Sequence, residues 1–229
     1  MTVIGVFTVP PKGLDELHSA LVSIVPGNGA VRAMYGGPDY TKNYTNWATV
    51  GTQPGSTFKA FALVAALEDG FSLKTRLNGS SPLRVGVGSY AADIENQGDS
   101  GGKSFGDVTL QYATEKSINT AFVDLTIQMS GGKNRDVSIG AKKILEAANA
   151  AGIPKAYTDK IDPVATTPLG YAPVPPIDMA NAYATLAAGG LRADWYVIDH
   201  IVAPTGSRVY QHEVKTEQTI PSDVAGDAI

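Results

Sequence analysis

From Phe58 to Leu67 the chain is apolar with one interruption, Lys59. Neither the alternation of a strand nor the single stripe of a surface helix fits that run, which predicts a helix buried on every side. Pro54-Gly55 makes the turn before it, Ser56 stands where the helix would begin, and Gly70 stops it. Val- and Ile-containing stretches at 20–25 and 30–35 flank Pro26-Gly27-Asn28-Gly29 and predict a β-hairpin, with a short helical turn at 14–18 leading in. A polar and aromatic loop over 38–51, holding Tyr40, Tyr44 and Trp47, delivers the chain to the apolar helix.

Residues 72–107 are rich in Gly, Ser and Asn and predict a long loop with one short strand near 83–87. Loops of that length inside a compact domain are usually functional. Helical spacing then returns at Leu110–Glu115, with Thr109 as N-cap, and at 121–129. Between them Lys116-Ser117-Ile118-Asn119-Thr120 favours turns and caps, which places Ser117 and Asn119 at a junction of two helices. Further helices are expected at 136–151 and at 179–188, the second with Asp178 as N-cap. A β-branched strand at 195–202 pairs with 208–211, and 222–229 reads as a capped helix that has barely begun. Hairpin, helices, hairpin is the order of an α+β fold whose terminal hairpins share one sheet.

Composition narrows the functions available. With 43% hydrophobic and 17% charged residues, the 229-residue chain has the makeup of an ordinary globular protein able to bury a core. A net charge of -4 and the lack of any basic cluster argue against a nucleic-acid partner. Without cysteine there are no disulfides, thiolate metal sites or cysteine nucleophiles, and His18, His200 and His212 lack metal-ligand spacing. No apolar run approaches a membrane span, so no membrane contact is expected from this chain itself.

The candidate chemistry lies at the start of the apolar helix. Ser56 and Lys59 are three residues apart, so on a helix the amine reaches the hydroxyl, a nucleophile beside its base. The helix N-terminus adds backbone N–H groups where an oxyanion would develop. The blander alternative makes Ser56 an N-cap and Lys59 a solvent-reaching lysine. Ser-x-x-Lys occurs twice more, at Ser100–Lys103 and Ser130–Lys133, both Ser-Gly-Gly-Lys and too flexible to hold catalytic geometry. Gly102-Lys103-Ser104-Phe105-Gly106 matches a nucleophile elbow but lacks the preceding strand and following helix that such an elbow needs. A phosphate loop at 98–104 fails on spacing.

Four stretches, in order, resemble the transpeptidase domain of bifunctional, class A penicillin-binding proteins of actinobacterial type. ALVSIVPGNGAVRAMYGG at 20–37 resembles that family's opening hairpin, and QPGSTFK at 53–59 its active-site Ser-x-x-Lys. GDVTLQYATEKSINT at 106–120 resembles the approach to its Ser-x-Asn motif, here Ser117-Ile118-Asn119, and MANAYATLAAGG at 179–190 its later helix. Two departures stand out. Asn46-Trp47-Ala48 falls where the family commonly has an arginine, and the only Lys-Thr, Lys215-Thr216-Glu217, lacks the glycine of the family's third motif, Lys-Thr/Ser-Gly. Lys215–Glu217 reads as an exposed strand or loop, and the true motif is expected beyond Ile229.

The resemblance implies a lead-in segment at 1–18 and a penicillin-binding transpeptidase domain at 19–229, incomplete at its C-terminus. It implies an α+β fold of the serine β-lactamase/transpeptidase type: an antiparallel sheet with flanking helices and an all-helical lobe, its final strands missing. Ser56 would attack the carbonyl between two terminal D-alanines of a peptidoglycan stem peptide, Lys59 would take its proton, Ser117 would relay a proton to the leaving amine, and Asn119 would bind the substrate amide. The Ser56 N–H would be half an oxyanion hole. β-Lactams would imitate the substrate, no metal or organic cofactor would be needed, and the site of action would be the extracytoplasmic face of the cell envelope. A missing strand would slow acylation and leave a sheet edge through which chains associate. Two alternatives stay open: a serine β-lactamase or D,D-carboxypeptidase, and a non-catalytic fragment that binds cell-wall peptide or a partner.

Overall fold

The structure, a computed structural model, describes residues 17–39, 41–86, 91–132 and 136–229. The opening hairpin forms as expected, β1 (Leu21–Ile24) against β2 (Val31–Tyr35), antiparallel with a register shift between Ser23 and Ile24. Most of the expected turn at 14–18 and Tyr40 of the loop lie outside the described residues; Leu17 and His18 have no regular structure, although the His18 ring stacks on Trp47 at 3.6 Å.

The central helix is α1 (Lys59–Glu68), continuous with a 3-10 turn at Gly55–Phe58, and its residues Phe61 to Ala66 are all buried. Around it pack α3 (Asn119–Met129), α4 (Ser138–Ala151) and α7 (Ser222–Asp227), which close a core of Phe58, Phe61, Phe122, Leu125, Ile144 and Ala225. Small residues let these helices approach closely. At Gly140 an added Cβ would stand 2.3 Å from the Thr126 carbonyl oxygen, and the Gly140 N–H donates to Ser130 Oγ at 2.9 Å. α6 (Pro176–Ala187) carries Ile177 and Ala184 against Ile24 of the hairpin.

Several expectations need correction. The stretch 72–107 holds four short strands where one was expected: β3 (Arg76–Asn78) pairs with β6 (Asp107–Thr109), and β4 (Leu83–Val85) with β5 (Ala92–Ile94). Three-residue strands carry too little alternation to be read from pattern. α3 begins at Asn119, two residues before the expected 121, with Ile118 as N-cap. α6 starts at Pro176 with Pro175 as N-cap, because proline suits the first helical position, so Asp178 lies inside the first turn. α7 begins at Ser222, with Pro221 as its N-cap.

The last correction concerns the terminal hairpins. The strand expected at 195–202 shrinks to β8 (His200–Val202), paired with β9 (Arg208–Gln211); Trp195 lies outside it and donates its indole N–H to the buried Asp178 carboxylate at 3.2 Å. Among the described residues the two hairpins do not share a ladder. They touch through one parallel bridge, Ala30 with Tyr196, where Val31 N–H donates to the Tyr196 carbonyl at 2.9 Å. The remaining pair is β7 (Leu191–Ala193) with β10 (Thr216–Gln218); α2 (Leu110–Glu115) and the short α5 (Lys155–Thr158) complete the elements.

Gly140→Ala tests the close approach of α3 and α4. Overpacking against a backbone oxygen costs about 1–3 kcal/mol, or several degrees in Tm for a chain of this size. Thermal unfolding followed by circular dichroism should show that drop, and an unchanged Tm would contradict the packing described.

Candidate active site

Ser56 sits in the 3-10 turn that opens onto α1, and three contacts hold that turn. Gly55 N–H donates to the Gly170 carbonyl at 3.0 Å, Thr57 Oγ1 donates to the Pro54 carbonyl at 2.7 Å, and the Tyr183 hydroxyl of α6 donates to the Thr57 carbonyl at 2.7 Å. Gly170 has φ of +66°, and a Cβ there would lie 2.2 Å from the Gly55 carbonyl oxygen, so glycine is required both for conformation and for approach. Ser56 caps nothing: Pro54 is the N-cap of the turn, without a side-chain cap bond. Its hydroxyl faces Lys59 Nζ at 3.1 Å.

Lys59 is 4% exposed, which removes the solvent-reaching alternative. From α1 its amine crosses to the α2–α3 junction, where it meets the Ser117 carbonyl at 2.7 Å, Asn119 Oδ1 at 2.7 Å and Ser117 Oγ at 3.0 Å. Ser117 has φ of +53°, the one positive-φ residue other than glycine among those described, and this left-handed backbone accompanies both contacts of Ser117 with the same amine. The Asn119 amide is oriented because its Nδ2 donates to the Glu95 carbonyl at 2.9 Å, leaving Oδ1 toward the lysine. The Phe122 ring lies 5.5 Å from Nζ.

Burial lowers the Lys59 amine from its usual 10.5 to about 8, so about a tenth is neutral at pH 7. In the neutral form two hydrogens are available. They serve the Ser117 carbonyl and Asn119 Oδ1, both at 2.7 Å. The lone pair is then left for the two hydroxyls, Ser117 Oγ at 3.0 Å and Ser56 Oγ at 3.1 Å, either of which can donate to it. This is a proton acceptor placed on a nucleophile, with a second hydroxyl beside it.

All four residues singled out in the sequence thus converge. The competing serines do not join them: Ser130 is buried and bonds the Thr126 carbonyl and Gly140 N–H, each at 2.9 Å, Ser104 Oγ accepts from Ser81 N–H at 3.2 Å, and Lys133 lies outside the described residues. The segment after Gly106 is β6 where an elbow needs a helix. Thr216 and Glu217 fall on exposed β10, where Glu217 pairs with Arg192 at 3.4 Å, as expected of an ordinary strand. Sequence reasoning missed Gly170, Tyr183 and Asn96. The buried Asn96 side chain accepts from Thr120 N–H at 3.0 Å and donates to the Gly79 and Lys103 carbonyls at 3.1 and 2.9 Å, fixing the loop beside Asn119. A lone asparagine in a Gly/Ser-rich loop carries no signal of such a role.

Among known proteins, the family model described as "Penicillin binding protein transpeptidase domain" matches residues 20–227. Penicillin-binding protein 1A of Mycobacterium tuberculosis is 35% identical over 223 residues, covering 92% of this chain and 25% of that protein. Penicillin-binding protein 1A of Mycolicibacterium smegmatis is 31% identical over 227 residues, covering 93% of this chain and 27% of that protein. The solved structure of PonA1 from M. tuberculosis in complex with penicillin V superposes with a TM-score of 0.76 at 33% identity, over 91% of this chain and 53% of the solved one. The chain therefore spans about a quarter of the length of these curated relatives and about half of that solved chain.

The depressed Lys59 amine is open to direct titration. By nuclear magnetic resonance of its ε-carbon the midpoint should fall near 8. The unfolded chain keeps the ordinary lysine value of about 10.4, so between these values the unfolded state binds the extra proton and stability rises with pH; Lys59→Met should lose that rise. A midpoint above 10 would contradict the site as described.

Proposed function

The chain belongs to the penicillin-binding protein transpeptidase family, and from that premise we propose that residues 19–229 perform serine acyl transfer on peptidoglycan stem peptides. The observation that carries the reading is the Lys59 amine, held by two acceptors and turned by its remaining valence toward the hydroxyls of Ser56 and Ser117. The serine β-lactamase/transpeptidase fold is shared with the solved relatives.

In this mechanism Ser56 Oγ bonds to the carbonyl between two terminal D-alanines as its proton passes to Lys59. The bond to the leaving amine breaks, and that amine receives the proton through Ser117. An acceptor amine on a neighbouring stem then attacks the ester, forms the new amide and returns Ser56 to its hydroxyl form. Asn119, its Nδ2 turned to the Glu95 loop, would recognise the substrate amide. β-Lactams would enter by the same attack, their ring amide opening onto Ser56. Such substrates place the work on the extracytoplasmic side of the cell envelope. The exposed β8–β9 hairpin, with Val202, Val209 and Tyr210 open to solvent, would supply the edge for any association between chains.

Mass spectrometry after prolonged incubation with penicillin tests the assignment. A covalent adduct on the peptide containing Ser56 is expected, absent from Ser56→Ala and retained in Ser100→Ala and Ser130→Ala. An adduct that survives Ser56→Ala would refute it, and an adduct lost within minutes by hydrolysis would favour the β-lactamase or carboxypeptidase alternative. Removing Lys59 should cost far more than removing Asn119, because Asn119→Ala loses the Oδ1 contact to Nζ and the bond to the Glu95 carbonyl but leaves the amine beside the Ser56 and Ser117 hydroxyls. Equal losses of acylation rate in Lys59→Ala and Asn119→Ala would contradict the division of roles.

A further inference from the structure

Residues 95 and 96 touch the start of α3 twice. The Glu95 carbonyl accepts from Asn119 Nδ2 at 2.9 Å, and one residue on, Asn96 Oδ1 accepts from Thr120 N–H at 3.0 Å and from Thr120 Oγ1 at 3.2 Å. Ile118, the N-cap of α3, makes no side-chain cap bond. Asn96 therefore caps the helix from another part of the chain, satisfying one of the donors that a helix leaves open in its first turn. Its Nδ2 donates to the Gly79 and Lys103 carbonyls at 3.1 and 2.9 Å, so both hydrogens and both lone pairs of this buried amide are used.

The backbone of Asn96 is seated as firmly as its side chain. Asn96 N–H donates to Ser81 Oγ at 3.0 Å, and Ser81 Oγ donates to the Gly101 carbonyl at 2.7 Å. A Cβ on Gly102, whose φ is +67°, would stand 2.2 Å from the Asn96 carbonyl oxygen. The Glu95 carbonyl and the Asn96 N–H belong to one planar peptide unit, so whatever holds Asn96 also aims that oxygen at Asn119. Its aim decides which atom Asn119 turns to Lys59. With Nδ2 on the Glu95 carbonyl, Oδ1 faces Nζ at 2.7 Å. Turned over, the amide would present Nδ2 to Nζ, occupy the lone pair that the Ser56 and Ser117 hydroxyls need, and leave a hydrogen of the amine for Ser56 Oγ. The Ser56–Lys59 hydrogen bond would then run in the wrong direction for proton removal.

We propose that Asn96 is a positioning residue for the acyl transfer: by holding the 95–96 peptide against Asn119 it keeps the lone pair of Lys59 free for Ser56, a role that rests on the acyl-transfer reading above. Its own hydrogen bonds go to Gly79, Ser81, Lys103 and Thr120, so it acts on the amine through Asn119. Among the described residues no carboxylate is within ion-pair distance of the Lys59 amine, which leaves burial and the surrounding oxygens to set its protonation. Losing the Asn119 oxygen disfavours the ammonium form, so the Lys59 midpoint falls when that amide turns or loosens. A residue needed only for stability would change the folded fraction and leave the midpoint of the folded protein where it was.

Asn96→Ala in the 229-residue chain carries the test, with the Lys59 ε-carbon titrated by nuclear magnetic resonance and penicillin acylation of Ser56 followed over the same pH range. The midpoint should fall by about one pH unit, the size expected for one lost hydrogen bond to a charged group. The plateau rate of acylation should fall by about a hundredfold, as a small misplacement at a reacting centre produces. In an Asn119→Ala background, where the midpoint has already fallen, Asn96→Ala should add no further shift. Gly102→Ala crowds the Asn96 carbonyl without altering its side chain and should move the midpoint the same way. An unmoved midpoint in folded Asn96→Ala, or a second full shift in the Asn119→Ala background, would overturn the proposal. So would failure of both Asn96→Ala and Gly102→Ala to fold, which would assign Asn96 to stability alone. The two readings fail separately: a midpoint that moves without any fall in the plateau rate removes the positioning role and leaves acyl transfer standing, whereas a midpoint that moves in a chain never labelled at Ser56 supports the hold of Asn96 on the amine while overturning acyl transfer.

Discussion

Everything at the candidate site depends on one buried amine. A charged lysine enclosed by the residues of a core would be costly unless its hydrogens were matched, and Lys59 meets four oxygens contributed by Ser56, Ser117 and Asn119. That requirement ties together segments 58 residues apart in the chain. The left-handed backbone of Ser117, unfavourable for a residue with a side chain, is retained where it lets one residue present both its carbonyl and its hydroxyl to the same nitrogen. Burial then acts a second time. The desolvation that makes the contacts obligatory also lowers the amine toward the range in which a neutral base exists at ordinary pH.

The rest of the fold positions that amine and its serine. Gly170 and Tyr183 approach the Ser56 turn from two other parts of the chain, so the nucleophile is held by its backbone and needs no bond from its own side chain. Asn96 does the same for the loop at Asn119, accepting from Thr120 N–H and donating to the Lys103 carbonyl. Rigid support of this kind is what a reaction that needs sub-ångström placement demands.

What was legible in the sequence divides along the same physical line. Ser56 and Lys59 are one turn apart, so a local rule brings them together, and the all-round apolar run around Lys59 announces its burial. Ser117 and Asn119 could be placed at a helix junction from their propensities, yet nothing local says which lysine they meet; that came from the resemblance to a family. Gly170, Tyr183 and Asn96 act through tertiary contacts, which periodicity does not encode. The three-residue strands between Arg76 and Thr109 fell below the length at which alternation can be recognised. At Asp178 an acidic residue looked like a cap, but prolines at 175 and 176 set the helix start, and the carboxylate was needed instead for Trp195.

The central claim is that the neutral Lys59 amine takes the proton from Ser56, and the pH dependence of acylation by penicillin tests it most directly. The rate constant should rise with pH through a single titration near 8 and level off above it. A rate that stays flat from pH 6 to pH 9, in protein shown to remain folded over that range, would contradict the account.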